Sequence, residues 1–293
     1  MFLVMLGTAA CSGPSPSGNP STATGPGKSP AAATGTGTAA AIRRDVPYGA
    51  AAEQTLDVYA PSRTTAGAAP APIIVMVHGG GWTRGDKENS AVVTGKVAHW
   101  VPAGYLFVSV NYRLVPEVDV AQQAGDIADA LALVQRSASS WGADPGRIVL
   151  MGHSAGAHLA VLLAADTTLQ KTHGVAPWRG TASFDSATLD VVATMRAPHL
   201  RLYDNAFGKD PAFWTATSPY QVLAAAPAPM LLVCSTRRTD PCPQARSFAA
   251  RVTSFGGRAE VDPVDLSHGQ INDELGLPGP LTSTVDAFLG SLG

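Results

Sequence analysis

Short, continuously apolar runs alternate with longer segments of helical periodicity from residue 43 onward. Apolar runs of this kind are typical of strands covered on both faces. They lie at Gln54–Tyr59, Pro72–Val77, Tyr105–Tyr112, Arg147–Met151, Gly180–Phe184, Met230–Ser235 and Ala259–Asp265. The helical segments are Lys87–Val101, Val118–Ser137, Ala155–Ala165, Pro243–Phe255 and Thr282–Leu292. The alternation predicts an α/β fold with a mainly parallel central sheet and helices on both faces.

One interval, Asp185–Pro229, interrupts this alternation. It contains several prolines and the aromatic residues Tyr203, Phe207, Phe213, Trp214 and Tyr220. A long irregular interval in a compact domain is often a lid or a binding loop. Short helices that decorate the domain and bury their aromatic side chains in the core are the alternative, and the sequence leaves both open.

Residues 1–11, MFLVMLGTAAC, are apolar and end in small residues before Cys11. This segment resembles the signal sequence of a bacterial lipoprotein, in which that cysteine carries the lipid. The segment has no Lys or Arg ahead of its apolar core, and the core is shorter than usual. Either the true start lies upstream or the signal is degenerate; the remaining alternative is an apolar N-terminus with no role in export.

Residues 12–42 consist almost entirely of Ser, Gly, Pro, Thr and Ala. Such a segment cannot bury enough apolar surface to offset the entropy lost on ordering, so we expect a disordered linker. The folded domain is then 43–293. We expect an exported protein, held at the outer face of the cell membrane through lipidated Cys11 or secreted.

The composition of the 293 residues fits a globular domain, with 45% apolar residues and a formal net charge of -2. That charge, and the lack of a basic stripe, argue against a nucleic-acid partner. If Cys11 carries lipid, Cys234 and Cys242 remain as a pair. Disulfides persist in exported proteins, so we expect a bond between them; two free thiols are the alternative.

The sequence RIVLMGHSAGAHL at 147–159 places a strand, a G-x-S-x-G motif and a helix in succession. Gly152 and Gly156 allow a sharp turn that strains Ser154 and exposes its hydroxyl above the edge of the sheet. Ser154 also precedes the positive end of a helix dipole, which favours a developing anion. We therefore predict that Ser154 is a nucleophile.

A serine hydroxyl needs a base and an acid that orients the base. For this motif the acid and then the histidine are expected on loops after late strands. His268 follows the last predicted strand, and Asp240 follows the strand before it. The carboxylates that compete with Asp240 are Asp204, Asp210, Asp262 and Asp265.

Three glycines follow the strand Pro72–Val77 in the sequence HGGGW, 78–82. Glycine lets backbone N–H groups approach the oxyanion that forms when a nucleophile attacks a carbonyl. We predict that Gly79 and Gly80 donate to this oxyanion, with Gly81 close behind and the Ala155 amide completing the site. A glycine-rich turn used only for packing is the alternative.

These segments make the chain similar to the α/β-hydrolase family. Within it, the chain resembles the carboxylesterase branch near hormone-sensitive lipase, bacterial acyl esterases and kynurenine formamidase. The resemblance runs from about Tyr48 to Leu292. It rests on LDVYAP (56–61), HGGGW (78–82), NYRL (111–114), DPGRIVLMGHSAGAHLA (144–160) and the segments around Asp240 and His268. The chain departs from the lipase branch at the acid, where STRRTDPCPQ replaces the usual D-P-L type segment.

The motifs and the resemblance imply a serine carboxylesterase that cleaves small acyl esters through an acyl-enzyme, with no metal or organic cofactor. The H-G-G-x-W pattern leaves a formamidase or amidase open, and a non-catalytic surface binding module is a further alternative. Four residues are candidates for the substrate pocket: Trp82, His153, Phe213 and Trp214. The sequence does not predict the oligomeric state.

Overall fold

The computed structural model describes residues 41–62 and 69–293. Its centre is a sheet of eight strands in the order β1-β2-β4-β3-β5-β6-β7-β8. The strands are β1 (Ala41–Pro47), β2 (Thr55–Ala60), β3 (Ala71–Val77), β4 (Leu106–Val110), β5 (Ala143–His153), β6 (Gly180–Phe184), β7 (Met230–Ser235) and β8 (Ala259–Val264). Strand β2 pairs antiparallel with β1 and β4, and the remaining pairs are parallel. The predicted α/β fold is confirmed; β1 is an additional strand that the apolar pattern did not indicate.

Helices cover the sheet on both sides. They are α1 (Ser90–Trp100), α2 (Val120–Ser137), α3 (Ala155–Ala165), α4 (Thr167–Thr172), α5 (Val191–Arg196), α6 (Arg201–Phe207), α7 (Pro211–Ala216), α8 (Pro219–Val222), α9 (Pro241–Ser254), α10 (His268–Glu274) and α11 (Pro280–Ser291). Side chains alternate between the two faces of a strand. In β3, Ile73 and Val75 therefore join the core under α2 and α3, while Ile74 and Met76 join the core under α1 and α11.

The interval Asp185–Pro229 contains the four short helices α5 to α8. Tyr203 and Phe207 of α6 are buried in the core. The Phe207 ring centroid lies 4.9 Å from that of Trp82. Helical decoration with core aromatics therefore describes most of this interval.

Cys234, near the end of β7, and Cys242, in the first turn of α9, form a disulfide with their Cα atoms 5.1 Å apart. The bond closes the segment 235–241 into a short loop. This loop lies at the carboxyl edge of the parallel strands, where β5 and β6 also end.

The signal-like segment 1–11, Cys11 and residues 12–40 of the linker lie outside the described residues. The last two residues of the predicted linker, Ala41 and Ile42, belong to β1. Among the described helices, none combines the length and the apolar character needed to cross a bilayer.

Candidate active site

Ser154 occupies the bend between β5 and α3, with φ 56° and ψ −119°. A positive φ is strained for a residue with a Cβ atom. The bend can be this tight because Gly152 and Gly156, on either side of Ser154, carry no side chain. A Cβ on Gly152 would lie 2.3 Å from the Gly156 carbonyl oxygen, and a Cβ on Gly156 would lie 2.4 Å from the His78 carbonyl oxygen. The strand, turn and helix thus present Ser154 as the motif predicted.

His268 lies against the hydroxyl of Ser154, at the start of α10. The two residues are 114 positions apart in the chain, and Nε2 is 2.9 Å from Oγ. The Ser267 side chain caps α10 by accepting from the Gln270 amide, and the Ser267 amide donates in return to Gln270 Oε1, which completes a capping box. This cap fixes the first turn of α10 and with it the position of the imidazole.

The carboxylate that orients His268 is Asp185, which directly follows β6. Nδ1–H of His268 donates to Oδ2 at 2.6 Å. The amide of Ser235 donates to Oδ1 at 2.8 Å. Burial raises the pKa of Asp185, but these bonds and the bond from Arg238 outweigh it and lower the pKa below its ordinary value. Asp185 is therefore an ionised, fully buried acceptor.

The prediction that Asp240 orients His268 is wrong. Asp240 is exposed and sits at the N-terminus of α9, because the chain turns into that helix at Pro241 directly after it. The competing acids do not take the role either. Asp204 contacts His199 and Asp265 contacts Arg237, on the surface. Asp210 caps α7, and Asp262 lies within β8.

A sequence signal for Asp185 did exist, because this residue directly follows the predicted strand Gly180–Phe184. In the structure β5 and β6 pair in parallel, with His153 opposite Phe184. The Ser154 amide donates to the Phe184 carbonyl at 2.9 Å. The residues that follow the two strands therefore meet at one edge of the sheet.

The glycines after β3 line the same cavity as Ser154. A Cβ on Gly79 would lie 2.9 Å from the Ser154 Cβ, and one on Gly80, at φ +132°, would lie 2.0 Å from the Arg84 carbonyl oxygen. Within residues 41–62 and 69–293, the amides of Gly79, Gly80 and Ala155 donate to no protein acceptor. These donors are available to a substrate oxygen. Gly81 also lines the cavity.

His153 is buried beside the three residues Ser154, His268 and Asp185, which together form a triad. Its Nε2–H donates to the His268 carbonyl oxygen at 2.9 Å. The two rings lie 4.6 Å apart between centroids. Burial, with a smaller contribution from the proximity of His268, lowers the pKa of His153 to about 3, so the ring is neutral at neutral pH. A neutral His153 supports His268 without adding charge to the site.

The cavity over Ser154 has a volume of about 760 Å³. Trp82 and His153 line it, as do Leu200, Leu202 and Tyr203 from the α6 region. Leu200 is 62% exposed and Leu202 37% exposed at its rim. The described residues include no group of three or more His, Cys, Asp or Glu side chains that would hold a metal ion.

The prediction that Phe213 and Trp214 line this cavity is wrong. Both lie on α7, and Phe213 lines a separate surface cavity with Pro116. The Trp214 indole donates to the Phe207 carbonyl oxygen at 3.1 Å. The side chains that reach the site come from α6 and the residues before it, since α6 packs against Trp82.

The sheet order, the strained serine after β5 and the histidine after β8 define an α/β-hydrolase. Residues 56–249 match the sequence model of the family described as BD-FAE. The chain belongs to the BD-FAE family.

Curated relatives and solved structures extend the similarity. Esterase LipQ of Mycobacterium tuberculosis is 28% identical over 240 residues, which are 74% of this chain and 54% of LipQ. A probable isoprenylcysteine alpha-carbonyl methylesterase of Oryza sativa is 29% identical over 45% of this chain and 31% of its own length. The chain thus spans about half or less of these relatives. Thermogutta terrifontis esterase 2, phosphonylated by sarin, superposes with a TM-score of 0.71 at 24% identity, over 87% of this chain and 95% of that one.

Proposed function

We propose that the protein is a serine carboxylesterase that hydrolyses small acyl esters through an acyl-enzyme. The observation that carries the proposal is the chain of contacts from Ser154 to His268 and on to Asp185, at 2.9 and 2.6 Å. This geometry gives the hydroxyl a base and gives the base a buried, ionised partner.

In acylation, Ser154 Oγ attacks the ester carbonyl while Nε2 of His268 takes the hydroxyl proton. Asp185 keeps the other imidazole proton on Nδ1 and stabilises the imidazolium. The negative charge on the former carbonyl oxygen is stabilised by the amides of Gly79, Gly80 and Ala155. Each such donor lowers the barrier by roughly 3 kcal/mol. His268 then protonates the departing alkoxide.

In deacylation, water takes the place of the alcohol. His268 removes a proton from the water, the resulting hydroxide attacks the acyl carbon, and the proton returns to Oγ as the acid leaves. The His268 side chain is 38% exposed, so water reaches its ring.

The names of the relatives support this activity. LipQ is named an esterase and the rice protein a probable methylesterase. Thermogutta terrifontis esterase 2 is described as phosphonylated by sarin, an organophosphorus compound. A nucleophile with the same surroundings would react with such a compound in this chain.

An amide or formamide hydrolase is the second candidate, favoured by the H-G-G-x-W pattern at 78–82. The triad and the amides serve either substrate. The leaving group decides between them, because an amine leaves less readily than an alkoxide. A non-catalytic binding module is the third, and it predicts no turnover at all.

We also propose that the domain works outside the cytoplasm, tethered through Cys11 or secreted. The bond between Cys234 and Cys242 supports an oxidising compartment. Metabolic labelling with a radioactive fatty acid tests the anchor. Label on the wild type but not on Cys11→Ser is expected, and label on neither would contradict lipidation.

The experiment for the activity compares p-nitrophenyl esters from acetate to octanoate with N-formyl and acetyl anilides, on the wild type and on Ser154→Ala. We expect turnover of the short esters that exceeds anilide turnover and disappears in Ser154→Ala. Faster anilide turnover would favour the amidase. Full activity of Ser154→Ala would contradict the mechanism.

A further inference from the structure

Arg238 extends from the loop after β7 to the carboxylate of the triad. Its Nη1–H donates to Asp185 Oδ2 at 2.6 Å. The same oxygen accepts the proton of His268 Nδ1 at 2.6 Å. Two donors therefore converge on one oxygen of a side chain that is completely buried. The loop in which the sequence predicted an acid supplies a cation instead.

The guanidinium also lies close to the base itself. Nη1 of Arg238 is 3.0 Å from Nδ1 of His268. Both atoms carry protons that point to Asp185, so this approach is not a hydrogen bond. It brings a permanent positive charge next to the ring that becomes positive during the reaction.

We propose that Arg238 is a positioning residue that locks the Asp185 carboxylate in line with His268 and holds a permanent positive charge against the imidazole. The role of Arg238 in catalysis rests on the proposed function. The contacts of Arg238 with Asp185 and His268 do not depend on a substrate.

The charges around His268 favour this role. Asp185 alone would stabilise an imidazolium, and the positive charge of Arg238, whose Nη1 lies 3.0 Å from Nδ1 of the ring, opposes it. His153 of β5 lies beside the ring, tilted by 37° to it, and is neutral above a pKa of about 3 because it is buried. Burial raises the pKa of Tyr203, on α6, so its hydroxyl is also uncharged.

More distant charges lie on the helices packed around α10. Lys96 of α1 donates through Nζ to the Asn272 carbonyl oxygen at 2.8 Å. Asp273 and Glu274 lie on α10 itself, and Asp265 precedes it. Within the part of the chain that the structure describes, the charged side chains in contact with the His268 ring are those of Asp185 and Arg238.

Arg237, the neighbouring residue, has different surroundings and provides a matched control. Its side chain is 48% exposed, and Nε lies 2.8 Å from Asp265 Oδ1. Nη1 donates to Gln270 Oε1 at 3.0 Å. Removing this charge alters the surface beside α10 but leaves the contacts of Asp185 intact.

The charge of Arg238 also affects the step in which the alcohol leaves. The His268 imidazolium, once formed beside a cation, transfers its proton more readily to the departing alkoxide.

The test uses three variants of the full chain: Arg238→Gln, which removes the charge but keeps an N–H donor, Arg238→Lys, which keeps the charge, and Arg237→Gln. The titration of the His268 ring is followed by NMR, with His268→Ala to assign the signal. This readout needs no substrate, so absence of ester turnover, which would count against the proposed function, leaves the titration interpretable.

We expect the His268 titration midpoint in Arg238→Gln, and the acidic limb of kcat/KM, to move to higher pH by about one pH unit. Arg238→Lys and Arg237→Gln should match the wild type. A loss of activity or thermal stability in Arg238→Gln with an unmoved midpoint would overturn the proposal, since it would mean that Arg238 only braces the loop. Arg238→Met carries the same test should Arg238→Gln fail to fold.

Discussion

Nδ1 of His268 and Oδ2 of Asp185 lie 2.6 Å apart, although 83 positions separate the two residues in the chain. The contact places the acid of the triad after β6 and the histidine after β8. Strand β7 lies between these two strands in the sheet. Its last residue, Ser235, contributes an amide to the carboxylate, and the loop after it contributes Arg238.

The assignment of the acid predicts opposite results for two aspartates. Asp185→Asn should lower kcat on the order of 10⁴-fold. The new amide donates to the ring and so stabilises the wrong tautomer, and it carries no negative charge to stabilise the imidazolium. Asp240→Asn, at an exposed position, should stay within about twofold of the wild type. Steady-state kinetics on a short ester measures both. A large loss in Asp240→Asn with an active Asp185→Asn would reverse the assignment.

The glycine loop predicts a graded response to alanine. In Gly80→Ala the new Cβ would meet the Arg84 carbonyl oxygen at 2.0 Å, so the backbone must move and the oxyanion donor with it. We expect a loss in kcat of about 10²-fold or more. Gly81→Ala is the control, because its Cβ meets nothing closer than 3.9 Å. At φ +61° it should cost about 1–2 kcal/mol of stability and little kcat. Equal kcat losses in the two variants would contradict a specific role for Gly80.

Reduction of the bond between Cys234 and Cys242 should weaken the protein and the site together. The closed loop accounts for about 2.5 kcal/mol of the free energy of unfolding in the chain-entropy model. It also holds Ser235 and Arg238 against Asp185, so kcat should fall as well. Urea unfolding and kinetics with and without a phosphine reductant measure the two effects. As a control, the double variant Cys234→Ala/Cys242→Ala should not respond to the reductant. A wild type that keeps its stability when reduced would contradict the prediction.

The buried amine of Lys96 predicts a pH dependence of stability. Its Nζ donates to the carbonyl oxygens of Ala91 and Asn272. Burial lowers the pKa of Lys96 to about 7, against about 10.4 in the unfolded chain. Between these values the unfolded state binds more protons, so this group makes the free energy of unfolding rise with pH, and that gain is lost as pH falls toward 7.

Lys96→Met removes this contribution. The stability of the wild type relative to Lys96→Met should therefore increase between pH 7 and pH 9, by up to about 1.4 kcal/mol per pH unit. Urea unfolding of both proteins at the two pH values gives the difference. A difference that does not change with pH would show that Lys96 titrates near its ordinary value.

The sequence predicted the parts of the site that depend on local structure. Ser154 is strained by the residues on either side of it, and Gly79 and Gly80 follow directly from a strand, so their motifs are visible in short stretches. The periods of the apolar residues likewise predicted seven of the eight strands. Each of these features is decided by residues close together in the chain.

The acid depended on tertiary structure. Whether Asp185 or Asp240 reaches His268 is determined by how the chain turns after β6 and β7, and only the packed loops show this. The short helices α5 to α8 could not be predicted from the sequence for a related reason. Helices of four to seven residues are too short for a clear period, and it is the packing of α6 on Trp82 that brings Leu202 and Tyr203 to the cavity.

The central claim is that Ser154 is a nucleophile activated by His268 and Asp185. The most direct measurement is the mass of the protein, and of its proteolytic peptides, after treatment with a p-nitrophenyl phosphonate. We predict one phosphonyl group on the wild type, located at Ser154, and a rate of labelling that falls at least 100-fold in Asp185→Asn but not in Asp240→Asn. A wild type that hydrolyses esters yet carries no label at Ser154, or labels equally fast without Asp185, would contradict the account.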